Sequence, residues 1–171
     1  MNFNTVTFIF YLLPFALIAY HVVPANFRML VIFTSSLIFY GASGFLPLCL
    51  LISTIAWGYL TSNYISLRVG SGTSIAICAS FPLAMLWLFK YLGFTLDVFS
   101  ITPSGDGVFA TISSILMPAG ISFYTFQVMS YCIDVSDRKI VPERNFIKFG
   151  AYISFFPQLI AGPIVRYAEI Q

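Results

Sequence analysis

The sequence predicts an all-α fold, a polytopic membrane helical bundle with about six spans, some of them kinked or re-entrant. Three observations carry that expectation. The chain is 59% hydrophobic and only 8% charged, where soluble domains carry about 25% charged residues. Its mean hydropathy is +0.92. Its apolar runs are close to bilayer length and are separated by short corners of glycine, proline and charge. All 171 residues read as a single membrane domain, with no internal repeat.

A span needs about 20 apolar residues, because a helix rises about 1.5 Å per residue across a core about 30 Å thick. Thr7–Val23 is the first such run, kinked by Pro14, and Pro24–Arg28 makes a turn. Met29–Ala42 is a shorter second span. Gly44-Phe45-Leu46-Pro47 reads as a tight corner, after which Pro47–Leu67 crosses back. The polar RVGSG stretch from Arg68 to Gly72 is a loop. Thr73 to about Leu96 is the fourth run, with Pro82 inside it and Lys90 near its end, where a lysine can snorkel to the interface. Thr102–Gly107 (TPSGDG) is a second aqueous loop. Val108–Val135 is too long for one straight span and is interrupted at Met117-Pro118-Ala119-Gly120, so it reads as a short or re-entrant helix followed by a full one. Ser136–Asn145 (SDRKIVPERN) is the most charged stretch, and Ile147–Ile160 is the last apolar run, closed by Gly162-Pro163.

Basic residues set orientation. With the N-terminus outside, Arg28, Arg68, Arg138, Lys139, Arg144 and Lys148 face the cytoplasm, while Asp97 and Asp106 face out. The opening MNFNTVTF has no positive n-region, so it reads as a retained first span rather than a cleaved signal peptide. A net charge of +2 without a basic cluster argues against nucleic-acid binding. Cys49, Cys78 and Cys132 lie in apolar segments without metal-ligand spacing and read as small buried hydrophobes. No metal site is expected. His21 is the only histidine; it follows Tyr20 at the end of the first run with no carboxylate near it in sequence, and reads as an interfacial, structural residue. No catalytic constellation is visible, and no catalytic residue is assigned.

On a helix starting at Ile121, the residues Phe123, Gln127, Ser130 and Asp134 share one face, with Tyr124 and Tyr131 alongside. Polar side chains at membrane depth need partners. Two readings stand for Gln127 and Ser130: interhelical hydrogen bonding, or the wall of a substrate route. For Asp134 the simpler expectation is an ion pair with Arg138 at i+4. The segment FFPQLIAGPIVRY (Phe155–Tyr167) poses a related problem. Its prolines and glycine free backbone groups that, in lipid, other helices or water have to satisfy, so the segment is expected to be buried in protein or to line a cavity.

Three blocks, LMPAGISFYTFQVMSYCIDV (Leu116–Val135), the pair Asn145-Phe146, and FFPQLIAGPIVRY, resemble in order and spacing the membrane-bound O-acyltransferase family. The similarity is greatest to its alginate O-acetylation branch, and the D-alanyl transfer protein of teichoic acid is a more distant relative. The YLLPF and FKYLGF runs agree more weakly. The resemblance implies a multi-spanning acyltransferase that moves an acyl group, usually acetyl, to an exported polysaccharide such as alginate or to a cell-wall glycan. Acetyl-CoA or another acyl donor would be a substrate, with no bound cofactor. The expected surroundings are the bacterial inner membrane, the lipid bilayer, and periplasmic or extracellular polysaccharide-modifying proteins. The family's essential histidine sits on a later span. His21 does not match it, so the chain reads as the N-terminal part of a longer enzyme, able to insert but not to transfer an acyl group alone. The resemblance also places Gln158 and Arg166 along a polar route, and an interfacial anchor is the competing role for Arg166. Half of a membrane transporter or channel is the alternative function.

Overall fold

A computed structural model describes residues 8–67, 72–99, 120–161 and 165–170 of the chain. Every regular element among the described residues is helical. The predicted loops at 68–71 and 102–107, the break at 117–119 and the Gly162-Pro163 pair lie outside the described residues.

A π-turn at Phe8–Leu12 leads into α1 (Leu13–Val22), with Pro14 in the first turn of the α-helix. A 3₁₀ turn at Ala25–Phe27 then starts α2 (Arg28–Gly41). The following corner falls at Ala42–Gly44, earlier than expected, and Gly44 turns it with φ +138°, a conformation closed to residues with a Cβ. Helix α3 runs from Phe45 to Leu67, and it takes Pro47 into its first turn instead of ending there.

Helix α4 (Gly72–Leu86) continues through a π-turn at Trp87–Tyr91 into α5 (Leu92–Val98). Pro82 sits inside α4. It cannot donate to the carbonyl of Cys78, four residues back. Trp57 on α3 does so instead: its indole N–H points at that carbonyl from 3.2 Å and at the Ile77 carbonyl from 3.3 Å. The Trp57 ring stacks on Phe81 with centroids 5.4 Å apart. A neighbouring helix thus satisfies the backbone that proline frees, as a span in lipid requires.

Helix α6 (Ile121–Ser136) begins at Gly120, whose φ of +77° is left-handed. It packs against both α3 and α4. Its end is a Schellman motif: the Arg138 N–H bonds the Val135 carbonyl at 3.1 Å and the Lys139 N–H bonds the Asp134 carbonyl at 2.9 Å. The left-handed position of that motif, usually glycine, is held here by Arg138 at φ +57°. This conformation costs a residue with a Cβ roughly 1–2 kcal/mol. The expected Asp134–Arg138 pair is therefore replaced. Arg138 has left the helical path, and Lys139 stands 3.9 Å from Asp134 and 2.8 Å from Asp137.

Asn145 caps α7 (Phe146–Ser154): its Oδ1 accepts from the N–H groups of Ile147 at 2.9 Å and Lys148 at 3.3 Å. This helix lies on α2, where Gly150 allows the ring of Phe33 to approach, and also touches α3. Phe155 breaks the chain, and α8 (Phe156–Ala161) and α9 (Tyr167–Ile170) follow.

Two of these stretches, Phe45–Ser66 and Ile75–Leu96, are long and apolar enough to cross a membrane, at 22 residues each. Phe10–Val22 and Ala25–Gly41 are shorter apolar helices. Lys90 does more than snorkel: its ammonium donates to Ser122 Oγ at 3.0 Å and so ties the far end of the α4–α5 run to the start of α6.

The cysteines depart from expectation. Cys78 on α4 and Cys132 on α6 form a disulfide, and Cys49 is exposed. The close α4–α6 packing brings the two Cα atoms to 6.7 Å, within disulfide reach. A separation of 54 residues gave no sign of this in sequence.

Candidate functional site

The break after Ser154 generates the site. A helix leaves its last four carbonyls without internal partners, and the Tyr152 carbonyl is one of them. Gln127, 1% exposed on α6, donates its Nε2–H to that oxygen at 3.0 Å. The side chain of Ser154 returns to the Gly150 carbonyl at 2.7 Å. The polar residue on α6 thus compensates for the interrupted helix.

Beyond Tyr152 the broken segment and the charged loop enclose a half-open cavity of about 470 Å³, a size typical of small-molecule sites. Met29 and Ile32 of α2 give it an apolar wall. Glu143, Lys148, Tyr152, Gln158 and Tyr167 supply its polar groups. Glu143 is fixed from three sides. Its Oε2 accepts the Tyr167 hydroxyl at 2.8 Å, its Oε1 accepts the Asn145 N–H at 2.9 Å, and its own N–H donates to the Tyr131 hydroxyl at 2.6 Å. The Tyr152 hydroxyl donates to the Val165 carbonyl at 3.0 Å. The rings of Tyr131, Tyr152 and Tyr167 lie edge to face or tilted, with Tyr167 centred 5.1 Å from Tyr131 and 5.0 Å from Tyr152. Contacts of this kind hold rings rigidly. Burial, and then the bond to Glu143, raise the Tyr167 phenol above the ordinary tyrosine range, so at neutral pH it is a hydrogen-bond donor.

The four residues singled out in sequence take different places. Gln158 is 9% exposed and lines the cavity. Gln127 is not among the lining residues and bonds the backbone of Tyr152, which is. Ser130 is half-buried on α6 and Arg166 is exposed beside α9; neither is among the lining residues. On the predicted stripe, Asp134 is buried with Gln127 while Phe123 is 36% exposed at its edge. His21 is exposed and meets Tyr20 edge-on at 5.6 Å. Two hydroxyls on α6, those of Tyr124 and Thr125, are buried with no partner among the described residues.

Sequence reasoning missed Glu143, Tyr152 and Tyr167. In sequence Glu143 is one more charge in the SDRKIVPERN loop. Tyr167 was visible as the last residue of FFPQLIAGPIVRY, yet only the return of the chain after the break shows that it meets Glu143. No group of three His, Cys, Asp or Glu side chains able to hold a metal occurs among the described residues.

No family model matches the chain, and no solved structure matches it. Curated relatives do. The chain is 32% identical over 99% of its length to the protein of Azotobacter vinelandii named "probable alginate O-acetylase AlgI", and covers 35% of that protein. It is 33% identical to the Pseudomonas aeruginosa protein of the same name, over 99% of the chain and 34% of the relative. It is 29% identical to a Helicobacter pylori peptidoglycan O-acetyltransferase, over 98% of the chain and 37% of the relative. The chain thus spans about a third of the length of these relatives. Along nearly its whole length it is a homologue of the alginate O-acetylases, in the branch of the membrane-bound O-acyltransferase family that its sequence resembles.

Proposed function

We propose that the chain is part of a multi-pass inner-membrane O-acetyltransferase that transfers acetyl to an exported polysaccharide or a cell-wall glycan. The observation that carries this reading is the similarity over 99% of the chain to proteins named alginate O-acetylase. The relative named for peptidoglycan leaves the glycan acceptor as the shared element. Acetyl-CoA is the donor proposed, approaching from the cytoplasm at the end that carries Ser136–Asn145. About six spans and an outside N-terminus complete the proposal.

Chemistry at the cavity supports the same reading. Transfer of an acyl group to a hydroxyl needs a slot that excludes bulk water and presents fixed donors to the carbonyl oxygen. The Gln158 amide on the cavity wall is a suitable donor, while Tyr167 gives its hydroxyl proton to Glu143 and holds that carboxylate in place on the same wall. Gln127 supports that wall, and Ser130 and Arg166 are proposed to lie along the acceptor's route. The general base is not assigned to His21, which is exposed and meets only the Tyr20 ring among the contacts described.

The test is incubation of membranes containing the whole protein with acetyl-labelled acetyl-CoA and a glycan acceptor. Alkali-labile label on the glycan is the expected product. Absence of such an ester, with label or solute crossing sealed vesicles instead, would favour the transporter reading.

A further inference from the structure

We infer a second site, independent of acyl transfer: a cavity between the ends of α3 and α6 that binds the phosphate of an anionic phospholipid through Arg138 and Arg144. The cavity measures about 690 Å³. Its walls include Ile65, Val135, Ile140 and Val141, and its lining residues carry two charges, both cationic, from these arginines. Three carboxylates lie near: Asp134 is buried, 3.9 Å from Lys139, and the other two are held by other partners. Asp137 holds Lys139 at 2.8 Å, and Glu143 is bonded to Tyr167 and to the Asn145 N–H on the other cavity. An apolar wall below two guanidiniums that form no ion pair among the described residues, at the end of a membrane bundle, matches an amphiphile with an anionic head.

Two further observations point to the arginines themselves. Arg138 occupies the left-handed position of a Schellman motif, where glycine is the least strained residue. It is the single non-glycine residue with positive φ among those described, and strain of this kind marks positions where the side chain is used. Arg144 is set by its backbone: its carbonyl accepts the Tyr59 hydroxyl at 2.6 Å, and Tyr59 also lines the cavity. A soluble phosphate compound shares the phosphate chemistry but has no use for the apolar wall.

The test is native mass spectrometry of the whole protein released from bilayers of equal phosphatidylglycerol and phosphatidylcholine. Preferential retention of phosphatidylglycerol is expected, reduced about fivefold by either Arg138→Gly or Arg144→Gln, with phosphatidylcholine unchanged. Arg138→Gly should at the same time raise Tm, because glycine relieves the left-handed position, which separates lost binding from lost folding. No preference in the parent protein, or undiminished retention in both variants, overturns the proposal. Displacement of the lipid by millimolar inorganic pyrophosphate also overturns it, in favour of a soluble phosphate ligand.

Discussion

Helices α1 and α7 are both strongly apolar, yet they occupy opposite environments. Helix α1 buries none of its residues, and Phe10, Tyr11, Phe15 and Val22 are each about 70% exposed or more. Helix α7 buries every residue from Phe149 to Ser154. Hydrophobicity does not distinguish them, because lipid is as apolar as a leucine core and offers no driving force for burying one apolar face over another. What α7 has and α1 lacks is a glycine that admits a neighbour, a serine that bonds back to its own helix, a side-chain-capped start and an interrupted end. The same holds for the whole chain: Ser36, Thr54, Ser62, Thr125, Gln127 and Ser154 are buried, while the large exposed side chains are Phe, Leu, Ile, Tyr and Trp. Large apolar side chains such as Phe39, Leu51 and Phe149 fill the core as well, so among the described residues burial of polar groups separates core from rim, and apolar bulk does not.

The largest expected effect comes from filling the close approach. A Cβ on Gly150 would stand 2.6 Å from Phe33 Cε2 and 2.8 Å from its Cζ. Gly150→Ala should cost about 1–3 kcal/mol as α2 and α7 separate, and Gly150→Leu should abolish recovery of folded protein; thermal unfolding in detergent measures both. Next is the cap of the same helix. Asn145→Ala should cost about 1 kcal/mol, and Asn145→Ser should restore most of it.

A smaller effect is expected at the broken end. Gln127→Leu leaves the Tyr152 carbonyl without its donor, a loss of about 0.6 kcal/mol by the average for interhelical bonds in membranes. Its signature should be faster amide exchange in residues 150–154, which a pure packing change on α6 would not produce. Smallest of all, Phe15→Ala on α1 should alter stability by less than about 0.5 kcal/mol. Were Phe15→Ala as damaging as Gly150→Ala, apolar bulk would be holding the bundle together and the contrast between α1 and α7 would collapse.

Much of the fold was legible because proline, glycine and charge punctuate it. The fourth run was expected at Thr73 to about Leu96 and extends from Gly72 to Val98 through a π-turn. The last run, read from sequence as one stretch from Ile147 to Ile160, is instead divided at Phe155. The burial of Gln127 follows from the rule that polar side chains at membrane depth seek partners. The partner itself was not legible, because a backbone carbonyl 25 residues away leaves no trace in side-chain chemistry. Nor was the Cys78–Cys132 bond, which depends on the approach of α4 to α6. Asp134 was assigned to Arg138 by helical spacing, and that failed because the helix stops at Ser136 and the next turn is left-handed. Of Gln158 and Arg166, which the sequence reading sets along a polar route, Gln158 lines the cavity and Arg166 does not. Glu143 and Tyr167 form their bond through chain reversal after the break, which spacing cannot show.

The central claim is that the break after Ser154 builds the wall along which an acyl group is transferred. Acetyl transfer to glycan by the whole protein in membranes, compared among Tyr167→Phe, Gln158→Leu and Phe15→Ala at matched folded amounts, tests it most directly. The account predicts that the first two lower the rate by about tenfold, or about 1.4 kcal/mol, Gln158→Leu by removing a hydrogen bond to the acyl group and Tyr167→Phe by releasing Glu143 from its fixed position, while Phe15→Ala keeps full activity. Unchanged transfer in both Tyr167→Phe and Gln158→Leu would contradict it.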